Sequence, residues 1–335
     1  MINKYIFTTL ILFFLTNQNL LGEFSTKNLV INNELKNELK NSYIMGSGFK
    51  VICRHIFDAS EKIEFDHPAD PKNVLSGDLV YTSSGNIVNF FNNIHPQIKN
   101  PYILITSQTD ASSPGMVGGF GYGIYANKEI IDRSLNYLND EKLIAWFGIH
   151  PDIIHPKFVP IPCGIRYFYS QKFIEVFDKV INKNKNNPPV KNKLLYMNFT
   201  IANAPVYRQL VYDYFSKQSF CTNLIFNRMP YIDEIFLDQL SESKFVLSPH
   251  GHGIDCYRTW EILLMGSIPV VKTSILDELY EDLPVLIVKE WSEVTEKFLE
   301  EKYIEICSKK YNYEKLYMPY WINKINTFIA ENQAR

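Results

Sequence analysis

One stretch in the second half of the chain changes its pattern several times in succession. Phe245–Leu247 is an apolar run without polar alternation, which is typical of a strand buried on both faces. Gly251 and Gly253 follow in a loop where the missing Cβ lets the backbone approach a ligand. Cys256–Met265 then has helical spacing, and Ile268–Val271 is a second buried strand. The pattern therefore predicts one βαβ unit of a parallel sheet.

The helix predicted in this unit begins at a place that suits an anion. Asp255 stands where an N-cap belongs, and the free N–H groups at the positive end of the helix attract negative charge. Arg258 adds a planar cation suited to phosphate, and Glu261 shares its face of the helix and can accept ribose hydroxyls. These residue types fit a nucleotide diphosphate. An ordinary Arg258–Glu261 ion pair that ties the helix down is the alternative.

Elsewhere the chain alternates between short apolar runs and helical patterns, as α/β domains with parallel sheets do. The other predicted strands are Phe49–Cys53, Leu79–Thr82, Tyr102–Thr106, Leu143–Phe147, Phe158–Ile161, Leu194–Phe199 and Val285–Val288. The other predicted helices are Ile87–Ile94, Glu129–Leu138, Ile232–Leu240 and one that Ser292 caps and that ends near Ser308. A polar, proline-bearing stretch at 183–193 predicts a linker between a first domain at 44–182 and a second at 194–310.

Two more polar residues are candidates for the chemistry. Asp110 follows the predicted strand Tyr102–Thr106, at the carboxyl end where parallel sheets bind ligands. It is the candidate general base, and an ordinary turn aspartate is the alternative. Arg208 lies near the start of a helix and is a second candidate for binding phosphate, with a solvated surface arginine as the alternative.

The stretch described first resembles the signature of exostosin-type glycosyltransferases, most specifically over about residues 230 to 295. The resemblance is carried by Ser243–Gly251, Asp255, Arg258, Glu261, Gly266 and Ser267–Val271, and it continues through Leu283 and Pro284 to Trp291. It implies a GT-B fold, in which two Rossmann-like domains with parallel sheets face each other across a cleft. It also implies that residues 311–335 form a last helix that crosses back onto the first domain.

The same resemblance implies an activity. It indicates inverting transfer of a hexosyl or pentosyl unit from a nucleotide diphosphate sugar, usually a UDP-sugar, to a glycan or other hydroxyl acceptor. No cofactor or metal is expected. The donor-binding residues that the motif and its helix indicate are Pro249, Gly251, Gly253, Asp255, Arg258 and Glu261. Similar enzymes also have a basic residue near the donor at the place of Arg208, which the resemblance adds to this set.

Composition narrows the classes of function. The 335 residues are 46% hydrophobic, which indicates a globular chain, and the length predicts two domains. Lys and Arg number 34 against 36 Asp and Glu, so no basic excess favours nucleic acid. The five cysteines have no Cys-x-x-Cys spacing of a zinc ribbon. No Asp-x-Asp sequence occurs, which counts against a metal-bridged donor of the GT-A type.

The first 22 residues have the pattern of a targeting segment. Lys4 precedes the apolar run Tyr5–Leu15, which is too short to span a membrane. We expect a signal peptide or short membrane anchor at 1–22, with membrane association through residues 4–16. This predicts a location at a membrane, in the secretory pathway or in the cell envelope. A hydrophobic first helix is the alternative.

Two other functions are compatible with the sequence. His250, His252, Asp255 and Cys256 together permit the metal site of a hydrolase. A catalytically silent nucleotide- or carbohydrate-binding protein would keep the donor residues without a working base. Measured turnover of a donor sugar, as opposed to binding, separates these classes.

Three further patterns leave alternatives open. His150, Asp152 and His155 stand close enough in sequence for a metal site, but the intervening prolines favour a turn. The glycine-rich segment Pro114–Gly123 is either a loop over the cleft or an ordinary surface loop. Tyr280 either stacks on a nucleotide base or packs in the core.

Overall fold

The computed structural model describes residues 37–38, 40–58, 69–117, 128–166, 171–223 and 234–333. The predictions for residues 1–22 and for most of Pro114–Gly123 lie outside the described residues. Within those ranges the strands form two parallel sheets of five strands each. None of the helices in the described ranges is long and apolar enough to cross a membrane.

The first sheet occupies the N-terminal half of the chain. Its strands are β1 (His55–Ile56), β2 (Leu79–Ser83), β3 (Tyr102–Ser107), β4 (Leu143–Gly148) and β5 (Phe158–Pro160), in that spatial order. The helices of this half are α1 (Gly46–Val51), α2 (Ile87–Asn89, continued as the π-helix Phe90–Ile94), α3 (Lys128–Asn139) and α4 (Gln171–Asn186). Every residue of the central strand β3 is buried, which explains why its sequence shows no polar alternation.

The second sheet follows in the C-terminal half. Its strands are β6 (Lys193–Met197), β7 (Cys221–Asn223), β8 (Ser243–Leu247), β9 (Ile268–Lys272) and β10 (Leu286–Val288), in the order β10-β9-β8-β6-β7. The helices are α5 (Pro205–Phe215), α6 (Glu234–Ser241), α7 (Tyr257–Leu264) and α8 (Glu296–Cys307). The strand order reverses between β6 and β8, so a crevice forms outside the carboxyl ends of these two strands.

The last helix, α9 (Met318–Gln333), returns to the first sheet. Trp321 lies edge-on to Phe49 of α1, with ring centroids 6.4 Å apart, and Phe328 lies edge-on to Phe147 of β4 at 5.5 Å. A Cβ on Gly48 would lie 2.6 Å from the Met318 sulfur, so the Met318 side chain of α9 packs directly on the backbone of α1. The predicted GT-B arrangement, with two parallel α/β domains and a last helix that crosses back, is confirmed.

The strand predicted at Phe49–Cys53 is wrong. Phe49–Val51 form the second half of helix α1, Ile52 and Cys53 follow its end, and the strand comes later, at β1. Short apolar runs fit a buried helical turn as well as a buried strand. Here every residue of α1 from Ser47 onward is buried, so no polar face distinguishes the helix from a strand.

Two predicted boundaries are also wrong. The proposed linker at 183–193 begins inside α4, because Lys183 pairs with Asp238 of α6 at 2.6 Å and Asn184 donates to Ser241 of α6 at 2.8 Å. These contacts keep a polar sequence helical. Ser292 does not cap α8. Thr295 does, since its hydroxyl oxygen accepts from the N–H group of Phe298 at 3.3 Å.

Candidate active site

The crevice beside β6 and β8 faces the carboxyl edge of the first sheet. The N–H group of Asp255, in the loop after β8, donates to Nδ1 of His150, in the loop after β4, at 3.2 Å. The Asp255 carboxylate accepts from the N–H group of Cys163, which follows β5, at 2.8 Å. Both sheets therefore direct the ends where ligands bind toward one cleft.

Arg208 fixes the loop after β8 from behind. Its guanidinium donates to the carbonyl oxygens of Thr200 at 2.8 Å, Pro249 at 3.0 Å and His250 at 2.8 Å. The side chain is 2% exposed, so the solvated surface alternative is wrong. Because the guanidinium bonds to backbone oxygens, its role at the site is to shape the loop and to add positive charge behind it.

The two glycines of the predicted loop allow close approaches. A Cβ on Gly251 would lie 2.9 Å from Nη2 of Arg208, and a Cβ on Gly253 would lie 2.4 Å from the ring of His150. The N–H group of Gly251 donates to the Gly253 carbonyl at 3.2 Å, which closes a tight turn. The glycines thus let the loop press against an arginine on one side and against the first domain on the other.

Asp255 is not the helix N-cap. Cys256 occupies that position, and no side chain caps the helix. The Asp255 carboxylate instead accepts from the indole N–H of Trp260 at 3.0 Å and faces the Tyr280 hydroxyl at 3.4 Å, in addition to the Cys163 N–H group. Burial raises the pKa of this carboxyl. Three hydrogen bonds to the buried carboxylate stabilise it more than the single bond of an N-cap would. Tyr280 is itself buried, so it packs in the core and is not available to stack on a base.

Arg258 lies in the first turn of α7 and faces the crevice. Its Nε donates to the carbonyl oxygen of Asn198, after β6, at 2.9 Å. Nη1 is buried and has no hydrogen-bond partner in the described part of the chain. The ring of Phe199 lies 5.7 Å from the guanidinium carbons of both Arg258 and Arg208 and positions them. Burial, together with the charge of Arg208, lowers the pKa of Arg258 to about 9.

Glu261 lies one turn further along the same face of α7. The residue is 1% exposed, and its Oε1 atom has no hydrogen-bond partner among the described residues. The alternative of an Arg258–Glu261 pair fails for these two atoms, since neither Nη1 nor Oε1 bonds to the other. An unsatisfied buried polar atom costs about 1–3 kcal/mol, and more when charged, so two of them one turn apart on α7 indicate a ligand site.

Asp110 reaches the same cleft from the loop after β3. Its Oδ2 lies 3.5 Å from Nδ1 of His252, which stands between the two glycines of the loop after β8. The Asp110 side chain is 58% exposed and that of His252 is 36% exposed. Among the predicted residues, Asp110 is thus the one that the first domain contributes.

Part of the C-terminal half of the chain matches a known family. Residues 231–332 match the family model described as the RXYLT1 C-terminal domain, an exostosin-like glycosyltransferase family. This part of the chain is therefore similar to an exostosin-like glycosyltransferase domain. The match includes β8, the glycine loop and α7, and it confirms the predicted family and the prediction of a glycosyltransferase.

Other comparisons give more distant similarity. None of the curated proteins is significantly similar to this chain. The solved structures that match include crystal structures of an α1,3-fucosyltransferase alone, with GDP-fucose and with GDP. Each has 15% identity and a TM-score of 0.44. The matches cover 89%, 90% and 89% of this chain and 86%, 87% and 86% of the fucosyltransferase chains, in that order.

The histidines and the cysteine near the glycine loop of the glycosyltransferase do not converge. His250 stacks on Tyr207 with ring centroids 4.0 Å apart, whereas His252 faces Asp110. The Cys256 thiol lies against the Pro249 carbonyl at 3.5 Å. Asp152, near His150 in sequence, accepts from Ser112 and from the Gly115 N–H group. In the described ranges no three His, Cys, Asp or Glu side chains form a group that could hold a metal ion.

His150 is a cleft residue whose importance the sequence did not show. It has a φ of +50° at the end of β4, and its ring packs against Gly253. Burial lowers the pKa of His150 to about 3, so the ring is neutral and its Nδ1 accepts from the N–H group of Asp255. The residue joins the two domains through a contact that exists only when the imidazole is uncharged.

Acid should therefore destabilise the enzyme through His150. An unfolded histidine titrates near pH 6.5, so its neutral folded form favours folding above that pH and loses this advantage as pH falls toward 3. At pH 5 the loss is about 2 kcal/mol relative to pH 8. We expect the stability gap between wild type and His150→Asn, measured by urea unfolding, to shrink by this amount between pH 8 and pH 5.

Asparagine suits this test because it tolerates a positive φ. His155→Asn is the matched control, since His155 precedes β5 and lies at the amino ends of the strands, whereas His150 follows the carboxyl end of β4. The stability gap of this control should change much less with pH. A His150→Asn gap that stays constant from pH 8 to pH 5 would show that His150 is accessible to protons in the folded enzyme.

Arg166 is a second residue that the sequence analysis missed. Its guanidinium lies 6.0 Å from the ring of Tyr257, the first residue of α7. Its positive charge acts on both Arg208 and Arg258 and contributes to their lowered pKa values, after burial. In the sequence, Arg166 directly follows the segment that leads out of the first domain. Its place in the chain was the feature that could have indicated a role beside the cleft.

Proposed function

We propose that this glycosyltransferase moves a sugar from a nucleotide diphosphate sugar, a UDP-sugar, to a glycan or other hydroxyl acceptor with inversion at the anomeric carbon. One observation carries the proposal. Nη1 of Arg258 and Oε1 of Glu261 are buried, unpartnered among the described residues, and on one face of α7 at the strand-order reversal. A hydrogen-bond donor and a hydrogen-bond acceptor one helical turn apart match a diphosphate and the ribose next to it.

The cationic side of the site would hold the leaving group. The N-terminus of α7 and Arg258 bind the diphosphate, and Arg166 and Arg208 add positive charge around it. This charge stabilises the diphosphate as it departs, which is the task that a metal ion performs in other transferases. We therefore propose that the reaction needs neither a metal nor a cofactor.

Asp110 would be the general base. Inversion requires the acceptor to attack the face of the sugar opposite the diphosphate. The first domain lies across the cleft from α7, and Asp110 is on that side. The acceptor oxygen bonds to the anomeric carbon, its proton passes to the Asp110 carboxylate, and the electron pair of the broken carbon–oxygen bond leaves with the diphosphate.

Thermal unfolding of the full chain tests the donor site. UDP, GDP and other nucleoside diphosphates are added in EDTA. A ligand at a hundred times its dissociation constant adds about 2.7 kcal/mol, enough to raise the midpoint by several degrees. We expect UDP to give the largest shift and Arg258→Ala to abolish it. Arg258→Lys should weaken binding about tenfold to a hundredfold, because lysine keeps the charge but not the fork.

Glu261→Gln, in the same panel, should reduce the preference for UDP over 2′-deoxy-UDP, since the carboxylate is proposed to hold the ribose hydroxyls. Stabilisation by divalent cations alone, with none from any nucleotide, would overturn the transferase proposal in favour of the metal-dependent hydrolase. Binding of UDP without turnover of any UDP-sugar would indicate the silent binding protein. The location expected from residues 1–22 stays a prediction.

A further inference from the structure

The donor loop and the base are connected directly across the cleft. His252 lies between Gly251 and Gly253, on the loop that Arg208 fixes, and its Nδ1 is 3.5 Å from the Oδ2 atom of Asp110. The two side chains belong to different domains and both are partly exposed to the cleft. This contact is longer than a strong hydrogen bond, and catalytic hydrogen bonds of this kind shorten when substrate is bound.

We propose that His252 is a positioning residue of the transfer reaction, which orients the Asp110 carboxylate by donating from Nδ1 to Oδ2. This proposal rests on the function proposed above. The Nδ1 proton stays on His252 throughout the reaction. The other oxygen of Asp110 is then held toward the acceptor hydroxyl and receives the proton as the acceptor bonds to the anomeric carbon and the diphosphate leaves.

The position of His252 favours this role over that of the base itself. His252 belongs to the loop that binds the leaving group, and a base on that side would face the wrong side of the sugar for inversion. Asp110 comes from the opposite domain. The carboxylate is also the more exposed group of the pair, so it gains most from being held in one orientation. A displacement of about 1 Å can lower an enzymatic rate by about a hundredfold.

The consequence is that the base is oriented only when the donor loop is in place. Gly253 packs against His150 of the first domain, which brings the loop to the cleft, and His252 stands next to it. The Asp110 carboxylate is therefore oriented for catalysis only when the loop that binds the leaving group is correctly placed.

The test compares His252→Ala with His252→Asn in the full chain. An asparagine amide can donate in place of Nδ1 but cannot accept a proton. Release of UDP or GDP is measured from UDP-glucose, UDP-N-acetylglucosamine, UDP-xylose and GDP-fucose, and UDP and GDP affinities are measured separately. We expect His252→Ala to lower kcat about tenfold to a hundredfold with nucleotide affinity within about twofold. His252→Asn should recover at least threefold of that loss.

His155→Ala is the control histidine, since it lies at the amino ends of the strands of the first sheet, and its kcat should equal that of wild type. If His252→Asn is as slow as His252→Ala, His252 is not a positioning donor and the proposal is wrong. Equal kcat in His252→Ala and wild type overturns it as well. If wild type binds UDP or GDP but releases no nucleotide from any donor, the proposal fails while the donor site stands. If wild type binds neither nucleotide, the proposed function fails first.

Discussion

Asp110→Asn should lower kcat for sugar transfer by about 10²–10⁴-fold, the usual contribution of a general base. Asparagine keeps the shape of the side chain and an oxygen that can accept from His252, but it cannot take a proton. The Asp110 side chain is 58% exposed, so folding stability should change by no more than about 0.5 kcal/mol. Nucleotide affinity should stay within about twofold, because the donor site lies on the other domain.

Steady-state kinetics with a UDP-sugar, together with UDP binding, provide the measurement. Asp213→Asn is the matched control, because Asp213 is exposed on α5 and its carboxylate accepts from Gln209 of the same helix. A kcat for Asp110→Asn within about threefold of wild type would place the base elsewhere. The donor site would then need a different partner across the cleft.

Asp255→Ala should destabilise the fold by about 2–5 kcal/mol, since it leaves the buried donors of Cys163 and Trp260 unsatisfied at about 1–3 kcal/mol each. The Tyr280 hydroxyl also loses an acceptor. The Cys163 contact joins the two domains, so its loss should also loosen the cleft. Urea unfolding gives the stability, and proteolysis in native buffer reports the loosening.

Asp255→Asn is the isosteric control. The amide keeps one oxygen as an acceptor at the same place, so its loss should be smaller than that of alanine. If the alanine and asparagine substitutions both lower the free energy of unfolding by less than about 1 kcal/mol, the hydrogen bonds of the Asp255 carboxylate contribute little to stability. The link between the two domains would then depend on the other contacts, such as those of His150, of α4 with α6 and of α9.

The sequence predicted the βαβ unit around β8, α7 and β9 because each of its elements has a local signal. An apolar run, two glycines and a helical period are each readable over a few residues. Arg258 and Glu261 were found from the same local pattern, since residues that are three positions apart on a helix lie on the same face. The strand order of the second sheet, which places the crevice at α7, is not encoded in any short segment.

Several residues of the site owe their positions to partners that are distant in sequence. Arg208 has the sequence context of a helix surface, and only the loop after β8 turns it into a buried support. Asp255 has the position of an N-cap, and Cys163 and Trp260 draw its carboxylate away. His150 meets Gly253 about a hundred residues later. Contacts of this kind depend on the packing of two domains, which local patterns do not describe.

The route of the chain limits how the two domains can move. The backbone passes from one domain to the other after α4 and returns before α9, where the segment at Tyr317 pairs with Tyr43. Hinge motion between domains is concentrated at the few residues where the chain crosses from one domain to the other. Two crossings restrict twisting and sliding more than a single crossing would, so we expect the domains to move mainly by rotation about the line through both crossings.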